Sequence, residues 1–335
     1  MVAASGPTVA IVTPVYNGAQ FLAETMECVQ AQTYPHIIHC ILDNASTDAT
    51  PGIVAGYQGR RIPLITARNA ETQPMIDNWN AALKLLPRTT VYFRTLPADD
   101  LMVPHAIERM VALGEQYPEV SLVSCQEWMG PHLLGADIPS SRSVFDGRSV
   151  VRASLLNAIG FPHLHCLYRY PRCGLPRPFY QPDFHGVRLL ATDVDAAMRT
   201  LISGTCAYVH EPLVTTRWHA ATVTSTDMIP NHNKLWSDLQ LIDRWGPLAF
   251  NSEAEYRQCR DRHLRFYYRH LLLWHIQGKR RLLDLHHDWL RRAVALPYSR
   301  DYAYAALEWP LSRAKRWFRQ AATRLNLVHP NYALA

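Results

Sequence analysis

Five short polar clusters carry the residue types that chemistry needs: Thr13-Pro14-Val15-Tyr16-Asn17, the run from Asp43 to Asp48, the adjacent pair Asp99-Asp100, the run from Thr192 to Asp195, and Arg217-Trp218-His219. The adjacent carboxylates follow an apolar run. Two like charges there are costly without a counter-charge. A divalent cation supplies one, since Mg²⁺ or Mn²⁺ is usually held by one or two carboxylates together with phosphate oxygens. The plainer alternative is a solvated pair that caps the helix starting near Pro104. Asp43 can accept hydrogen bonds from a nucleobase N–H or a ribose hydroxyl. Ser46 and Asp48 equally suit the free donors of a helix N-terminus. Asp43 is therefore read as ligand-facing and Asp48 as structural. Thr192-Asp193-Val194-Asp195 opens a helix, where a carboxylate is favoured by the helix dipole, and it also offers a general base. His219, one of 16 histidines, gains interest only from its context.

The elements that must position these clusters follow from apolar patterning. Thr8–Val12, His36–Leu42, Ile62–Thr66 and Val91–Leu96 read as short strands. Ala19–Gln32, Gly52–Tyr57 and Ile76–Leu85 have helical spacing between them. Strands alternating with helices predict a parallel sheet covered by helices. Ligands of such sheets bind at the carboxyl ends of strands, and the first three clusters follow strands one, two and four. The junction after the first strand offers backbone N–H groups to an anion. It lacks the G-x-G-x-x-G dinucleotide fingerprint. Further on, Ser121–Ser124 and Tyr208–Thr216 read as strands and Asp193–Leu201 as a helix. Residues 130–185 read as long loops around short elements. The pattern is helical from about Asn231.

Composition sets outer limits. The 335 residues are 48% apolar and 19% charged, a globular balance that excludes a disordered chain. That length suggests one large domain with an appendage, or two domains. No apolar run approaches the roughly 18–20 residues of a membrane span, and Met1–Pro7 has no signal-peptide pattern, so the cytoplasm is the expected compartment. The seven cysteines form no C-x-x-C pair and are expected to be free thiols. The net charge of +6 is concentrated late in the chain: residues 251–335 hold 16 Lys and Arg against 7 Asp and Glu. Six tryptophans lie between Trp236 and Trp317. Ser312–Leu327 has the composition of a helix lying on anionic lipid, against the alternative of a packed helix with a solvated basic face.

The order of the clusters resembles the family 2 glycosyltransferases. Val12–Asn17 is similar to that family's V-T-P-x-Y-N strand end, Asp43–Thr50 to its D-[DN]-x-S-x-D-x-T turn, and Asn78-Trp79-Asn80-Ala81 to its Asn-rich segment. Leu96–Asp100 is similar to its D-x-D-type motif, Asp193–Arg199 to its [ED]-D-x-D helix, and Arg217–Thr224 to its R-x-H segment. The resemblance covers about residues 8–226. It implies an α/β GT-A fold, Rossmann-like with a mostly parallel central sheet flanked by helices, and a helical C-terminal extension. Residues 1–230 would form the transferase domain, with a nucleotide-sugar half to about 125 and an acceptor half from about 126. Residues 231–335 would form the basic, Trp-rich helical region.

It implies a nucleoside-diphosphate-sugar donor, UDP first among nucleotides, with Mn²⁺ or Mg²⁺ and inversion at the anomeric carbon. Thr13 and Tyr16 would line the nucleotide pocket, with Asp43 and Ser46 on the base and ribose. Asp99 and Asp100 would meet ribose and metal–diphosphate, His219 the metal or diphosphate, and Asp193 the acceptor hydroxyl as base. The acceptor would be a glycan or lipid-linked glycan of the cell surface, with possible contact to the inner membrane face and none to nucleic acid. Pro97 stands where the family has its first Asp, and Thr192 where it has Glu. These departures leave open which carboxylate holds metal and whether Asp193 or Asp195 is the base. They also keep alive a non-catalytic nucleotide- or glycan-binding module. A sugar nucleotidyltransferase would put a basic Gly-rich loop after the first strand, and Thr13–Gly18 has no Lys or Arg.

Overall fold

The computed structural model describes residues 6–161, 164–170, 178–184, 186–189, 191–293 and 296–307. The chain divides into two compact units. The first comprises residues 1–154, 159–182 and 191–219, and the second residues 155–158, 183–190 and 220–335.

The first unit is built on a ten-stranded sheet. Its strands are β1 (Thr8–Val15), β2 (Ile37–Asp43), β3 (Leu64–Arg68), β4 (Thr90–Thr95), β5 (Leu101–Met102), β6 (Val120–Met129), β7 (His132–Leu134), β8 (Val144–Asp146), β9 (Leu167–Arg169) and, later in the chain, β12 (Thr205–Thr216). The order is β3-β2-β1-β4-β9-β6-β12-β5, with β7 beside β6 and β8 beside β12. β3, β2, β1 and β4 run parallel, as do β6 and β12. The antiparallel β9 joins the two parallel blocks. Val9, Ala10, Ile11 and Val12 are all fully buried, as expected of a strand covered on both faces.

Five helices cover this sheet: α1 (Leu22–Gln30), α2 (Thr50–Ala55), α3 (Met75–Ala82), α4 (Ala106–Gln116) and α6 (Thr192–Leu201). α1 buries Leu22, Met26 and Val29. α4 buries Ala106, Ile107, Met110, Val111 and Gly114, a single stripe at helical spacing. Each fully buried Ile or Met on it contributes roughly 1.5–3 kcal/mol. A further helix, α5 (Gly147–Leu155), begins against the turn after α6. A β-carbon on Gly147 would collide with the carbonyl oxygens of Leu201 and Gly204, so only glycine allows that approach.

The predicted strands and helices are present near their expected places. The segment expected to be loops holds more than expected. It contains α5, β7, β8 and β9, and β9 is central to the sheet. Three residues are too few for alternation to mark a strand.

The second unit contains the hairpin β10 (Asp183–Phe184) and β11 (Val187–Arg188) and the helices α7 (Asn233–Ala249), α8 (Glu253–Ile276) and α9 (Arg280–Arg292). Its core gathers Leu235, Trp236, Leu239, Tyr267, Leu271, Trp274 and Leu290. Among the described residues, no helix is long and apolar enough to cross a membrane. The expected interfacial helix, Ser312–Leu327, lies outside the described residues, as do His163 and Cys173.

Candidate active site

The first two clusters are stitched to each other. The Asn17 amide donates to Ser46 Oγ at 2.9 Å, Gly18 to Thr50 Oγ1 at 2.9 Å and Ala19 to Asp48 Oδ2 at 3.0 Å. In return the Thr47 amide donates to Asn17 Oδ1 at 2.8 Å. The amides that sequence assigned to an anion are thus occupied by the neighbouring loop. Asn17 and Ala45 both take left-handed backbone conformations, with φ of 48° and 57°. For Ala this is strained, and such outliers cluster at ligand sites.

Asp43 is buried at the end of β2. Its Oδ1 accepts the Ser46 amide at 3.0 Å, and its Oδ2 pairs with Arg68 at the end of β3. Arg68 also donates to the Ser46 carbonyl at 2.8 Å. The guanidinium is half-exposed beside the carboxylate. Sequence reading missed Arg68, although its place at the end of the third strand marked it. Ser46 is buried and spends its hydroxyl on Asn17. Thr13 is fully buried and bonds His39 Nε2 at 2.9 Å. Both are buried side chains spent on hydrogen bonds within the fold. Tyr16, by contrast, is 52% exposed. The Asn-rich segment is a latch. Asn80 donates to the Tyr180 carbonyl at 2.8 Å and accepts the Tyr180 amide at 2.9 Å, while Asn78 and Asn44 share Asn69.

Asp99 and Asp100 part company. Asp99 is half-buried, and its Oδ2 lies 3.0 Å from His219 Nε2. Burial, and then the charge of Asp100, raises the Asp99 carboxyl above its ordinary value; the hydrogen bond with His219 opposes this. Phe21 packs on the His219 ring at 4.5 Å. Asp100 is turned inward and buried. Its Oδ1 accepts the Arg217 amide at 2.9 Å, and its Oδ2 lies 3.2 Å from His165 Nε2. The structure therefore brings Asp99 and His219 together and places Asp100 behind them.

Among the described residues, no group of three or more His, Cys, Asp and Glu is arranged to hold a metal. A carboxylate oxygen and an imidazole nitrogen at 3.0 Å are a two-donor set. That fits a cation whose remaining ligands are phosphate oxygens and water.

Asp193 opens α6 and is half-buried. Burial raises its carboxyl above the ordinary carboxylate value; the amide of Val194, and then its own, pull the other way, and the nearby Glu127 and His165 add smaller opposed effects. A base with a raised pKa is better matched to deprotonating a hydroxyl near neutral pH. Asp195 is fully buried and faces Arg199, one helical turn on, at 3.5 Å. Arg199 in turn donates to the Phe179 carbonyl. Of the two candidate bases, only Asp193 is open to a substrate. Glu127, unread in the sequence, is buried near Asp193 and accepts the Thr216 hydroxyl at 2.5 Å.

A mostly parallel sheet with these clusters at its strand ends defines a GT-A fold. Residues 10–129 match the model of glycosyl transferase family 2. An uncharacterized glycosyltransferase of Rickettsia prowazekii is 26% identical over 235 residues, covering 69% of this chain and 71% of that protein. Staphylococcus aureus TarS 1–349, solved in complex with UDP-GlcNAc, superposes with a TM-score of 0.61 at 13% identity, covering 91% and 92% of the two chains. The mannosyltransferase PcManGT from Pyrobaculum calidifontis, solved with GDP-Man and Mn²⁺, gives 0.53 at 16% identity over 97% and 86%. The family match covers residues 10–129, and the solved neighbours share the fold.

Proposed function

We propose that the chain transfers a sugar from a nucleoside diphosphate to an acceptor hydroxyl with inversion, in the building of a cell-surface glycan or glycolipid. The observation that carries this reading is the pairing of two features at one end of the sheet. A half-buried Asp193 has a raised pKa, and a half-exposed Asp99–His219 pair suits a diphosphate-bound cation. The transferase domain is residues 1–230, with the donor half ending near 125, and residues 231–335 are a basic helical appendage. The fold neighbours support a nucleotide donor through their own ligands, UDP-GlcNAc in one and GDP-Man with Mn²⁺ in another.

In this reading Asp43 and Arg68 present an acceptor and a cationic donor to the nucleobase and ribose, and Tyr16 covers the nucleotide. Thr13 and Ser46 act from behind by fixing β1 and the Asp43 turn. Asp99 and His219 would hold Mn²⁺ or Mg²⁺, with Asp100 in support. A cation bound there would supply positive charge to offset that of the leaving diphosphate. Asp193 takes the proton of the acceptor hydroxyl as its oxygen bonds to the anomeric carbon. The bond from that carbon to the diphosphate breaks on the opposite face. The work is cytoplasmic, at the inner membrane face where a lipid-linked acceptor would lie.

The test is a thermal-shift screen of UDP-, GDP- and dTDP-sugars, each with and without Mn²⁺. A ligand at a hundredfold excess over its Kd stabilises the native state by about 2.7 kcal/mol. The expected result is a metal-dependent shift with one nucleotide. No shift with any of them sinks the reading.

A further inference from the structure

Behind the Asp99–His219 pair lies a buried polar cluster of which the reaction above uses only Asp100. His165 is 1% exposed and Glu127 and Asp100 are each 2% exposed. They come from three separate places: His165 precedes β9, Glu127 lies within β6, and Asp100 follows β4. Nε2 of His165 faces Asp100 Oδ2 at 3.2 Å, Thr216 Oγ1 at 2.9 Å and Glu127 Oε1 at 3.9 Å. The Thr216 hydroxyl donates onward to Glu127 at 2.5 Å. With Nε2 as the donor nitrogen, one N–H is shared between Asp100 and Thr216. The field of Glu127 also reaches the fully buried Arg94 on β4. Asp100 Oδ1, the oxygen that His165 leaves free, accepts the amide of Arg217 at 2.9 Å. Two residues beyond Arg217, His219 meets Asp99.

These contacts form a chain of cause. A carboxylate buried beside a like charge is unfavourable unless paired and hydrogen-bonded. Asp100 therefore stays turned inward only while His165 and the Arg217 amide hold both its oxygens. While it does, the end of β12 is pinned in two places: Thr216 through its hydroxyl and Arg217 through its amide. His219 is then presented to Asp99 without depending on the ligand.

We propose that His165 is a positioning residue for the diphosphate end of the donor site, acting through Asp100 and the Arg217 amide to set His219 beside Asp99. This rests on the reading of Asp99 and His219 as the diphosphate end. It makes Asp100 the anchor of that pair, with Asp99 alone of the two facing the ligand.

The experiment measures binding by titration calorimetry on the full chain. The ligands are UDP with Mn²⁺ and GDP with Mn²⁺; the nucleotide that wild type binds is then compared with its parent nucleoside, which lacks the diphosphate. His165→Ala is expected to weaken the nucleotide–Mn²⁺ complex tenfold or more and the nucleoside less than twofold. His165→Gln, which keeps an amide nitrogen near the place of Nε2, recovers most of the loss. In a cycle with Asp100→Asn, the double variant binds no more weakly than Asp100→Asn alone, because His165 works through that carboxylate. If His165→Ala does not fold, His165→Phe, which fills the cavity but has no N–H for Asp100, takes its place in the cycle with Asp100→Asn, and the two effects must again fail to add. A folded His165→Ala that binds the nucleotide–Mn²⁺ complex like wild type overturns the proposal. So does an equal loss for nucleoside and nucleotide, or full additivity. Wild type binding neither nucleotide removes the premise itself and is a separate outcome.

Discussion

In the sheet unit, His165 is buried among carboxylates, and its contacts run outward through Asp100 and the Arg217 amide to the half-exposed His219 and Asp99. In the helical unit, His286 is buried among rings. Trp274 and Trp289 lie 4.7 and 4.8 Å from it, Nδ1 is met by the Tyr267 hydroxyl, and Nε2 donates to the Asn231 carbonyl at 2.8 Å. His263 in the same unit ends likewise on a carbonyl, that of Leu235 at 2.8 Å. One network terminates on groups that meet solvent, and the other closes on the backbone. A buried polar network aimed at a surface is organised for a ligand; one that closes on itself specifies packing. Substitutions should therefore separate cleanly, changing function in the first region and stability in the second.

The largest expected effect tests the first half of that contrast. Asp193→Asn should lower transferase turnover by roughly 10²–10⁴-fold, the usual contribution of a positioned base. Its stability should move the other way or not at all. Burial raises the Asp193 carboxyl, so ionising it costs folding free energy as pH rises past the carboxylate range. Asparagine removes that cost. Turnover near wild type in a folded Asp193→Asn protein would remove Asp193 from the role of base. A large fall in melting temperature would instead place it with the structural carboxylates such as Asp195.

The legible part of this site was the part written as contiguous runs at strand ends. The Asp43 turn and the Asp99–Asp100 pair each follow an apolar segment whose length and period mark it, and Asp193 opens a run of helical spacing. What the sequence hid depends on pairing across the sheet. Glu127 sits inside a ten-residue strand and His165 before a three-residue one. Nothing local says that both converge on Asp100. Arg68 joins Asp43 only because β3 lies parallel to β2 with Arg68 opposite Asp43. Neighbouring carboxylates that the sequence leaves undivided also have different surroundings in the fold. Asp99 meets the half-exposed His219, whereas Asp100 is buried against His165 and the Arg217 amide. Asp195 is drawn inward by Arg199, four residues on along α6.

The helical unit carries the next effect. Burial, with the neighbouring histidines 232, 270 and 287 adding to it and the Asn231 hydrogen bond opposing, lowers His286 from 6.5 to about 4. The folded state thus prefers the neutral ring. The stability it contributes is complete above about pH 6.5 and is lost as pH falls through about 4. His286→Phe should cost roughly 1–3 kcal/mol at pH 7, since the Tyr267 hydroxyl and the Asn231 carbonyl lose their partner. It should also flatten the decline between pH 6.5 and 4, measured by urea unfolding. His39, lowered to about 3 by its burial in the sheet, acts in the same direction and remains in both proteins, so the difference between them reports His286. Nucleotide–Mn²⁺ affinity at pH 7 should be unchanged, and a tenfold loss would break the contrast between the two units.

The smallest effect lies at the stitched loops, which combine both behaviours. Asp48 is exposed and accepts two amides at 3.0 Å, from Ala19 and from Thr50; desolvation, the largest single effect, raises its carboxyl, but the hydrogen bonds from Thr50 and Ala19 together outweigh it and lower it. Because solvent screens the group, Asp48→Ala should cost no more than about 1 kcal/mol, in the range of a lost helix cap. In melting temperature that is roughly 2–4 °C for a domain of this size. Yet the bond to Ala19 helps hold the loop carrying Tyr16 against the loop carrying Asp43. Nucleoside affinity should therefore fall severalfold while the dependence on Mn²⁺ stays as it was. If Asp48→Ala changes the metal dependence instead, the stitched loops and the Asp99–His219 pair are one coupled site, and the division between a base end and a diphosphate end must be redrawn.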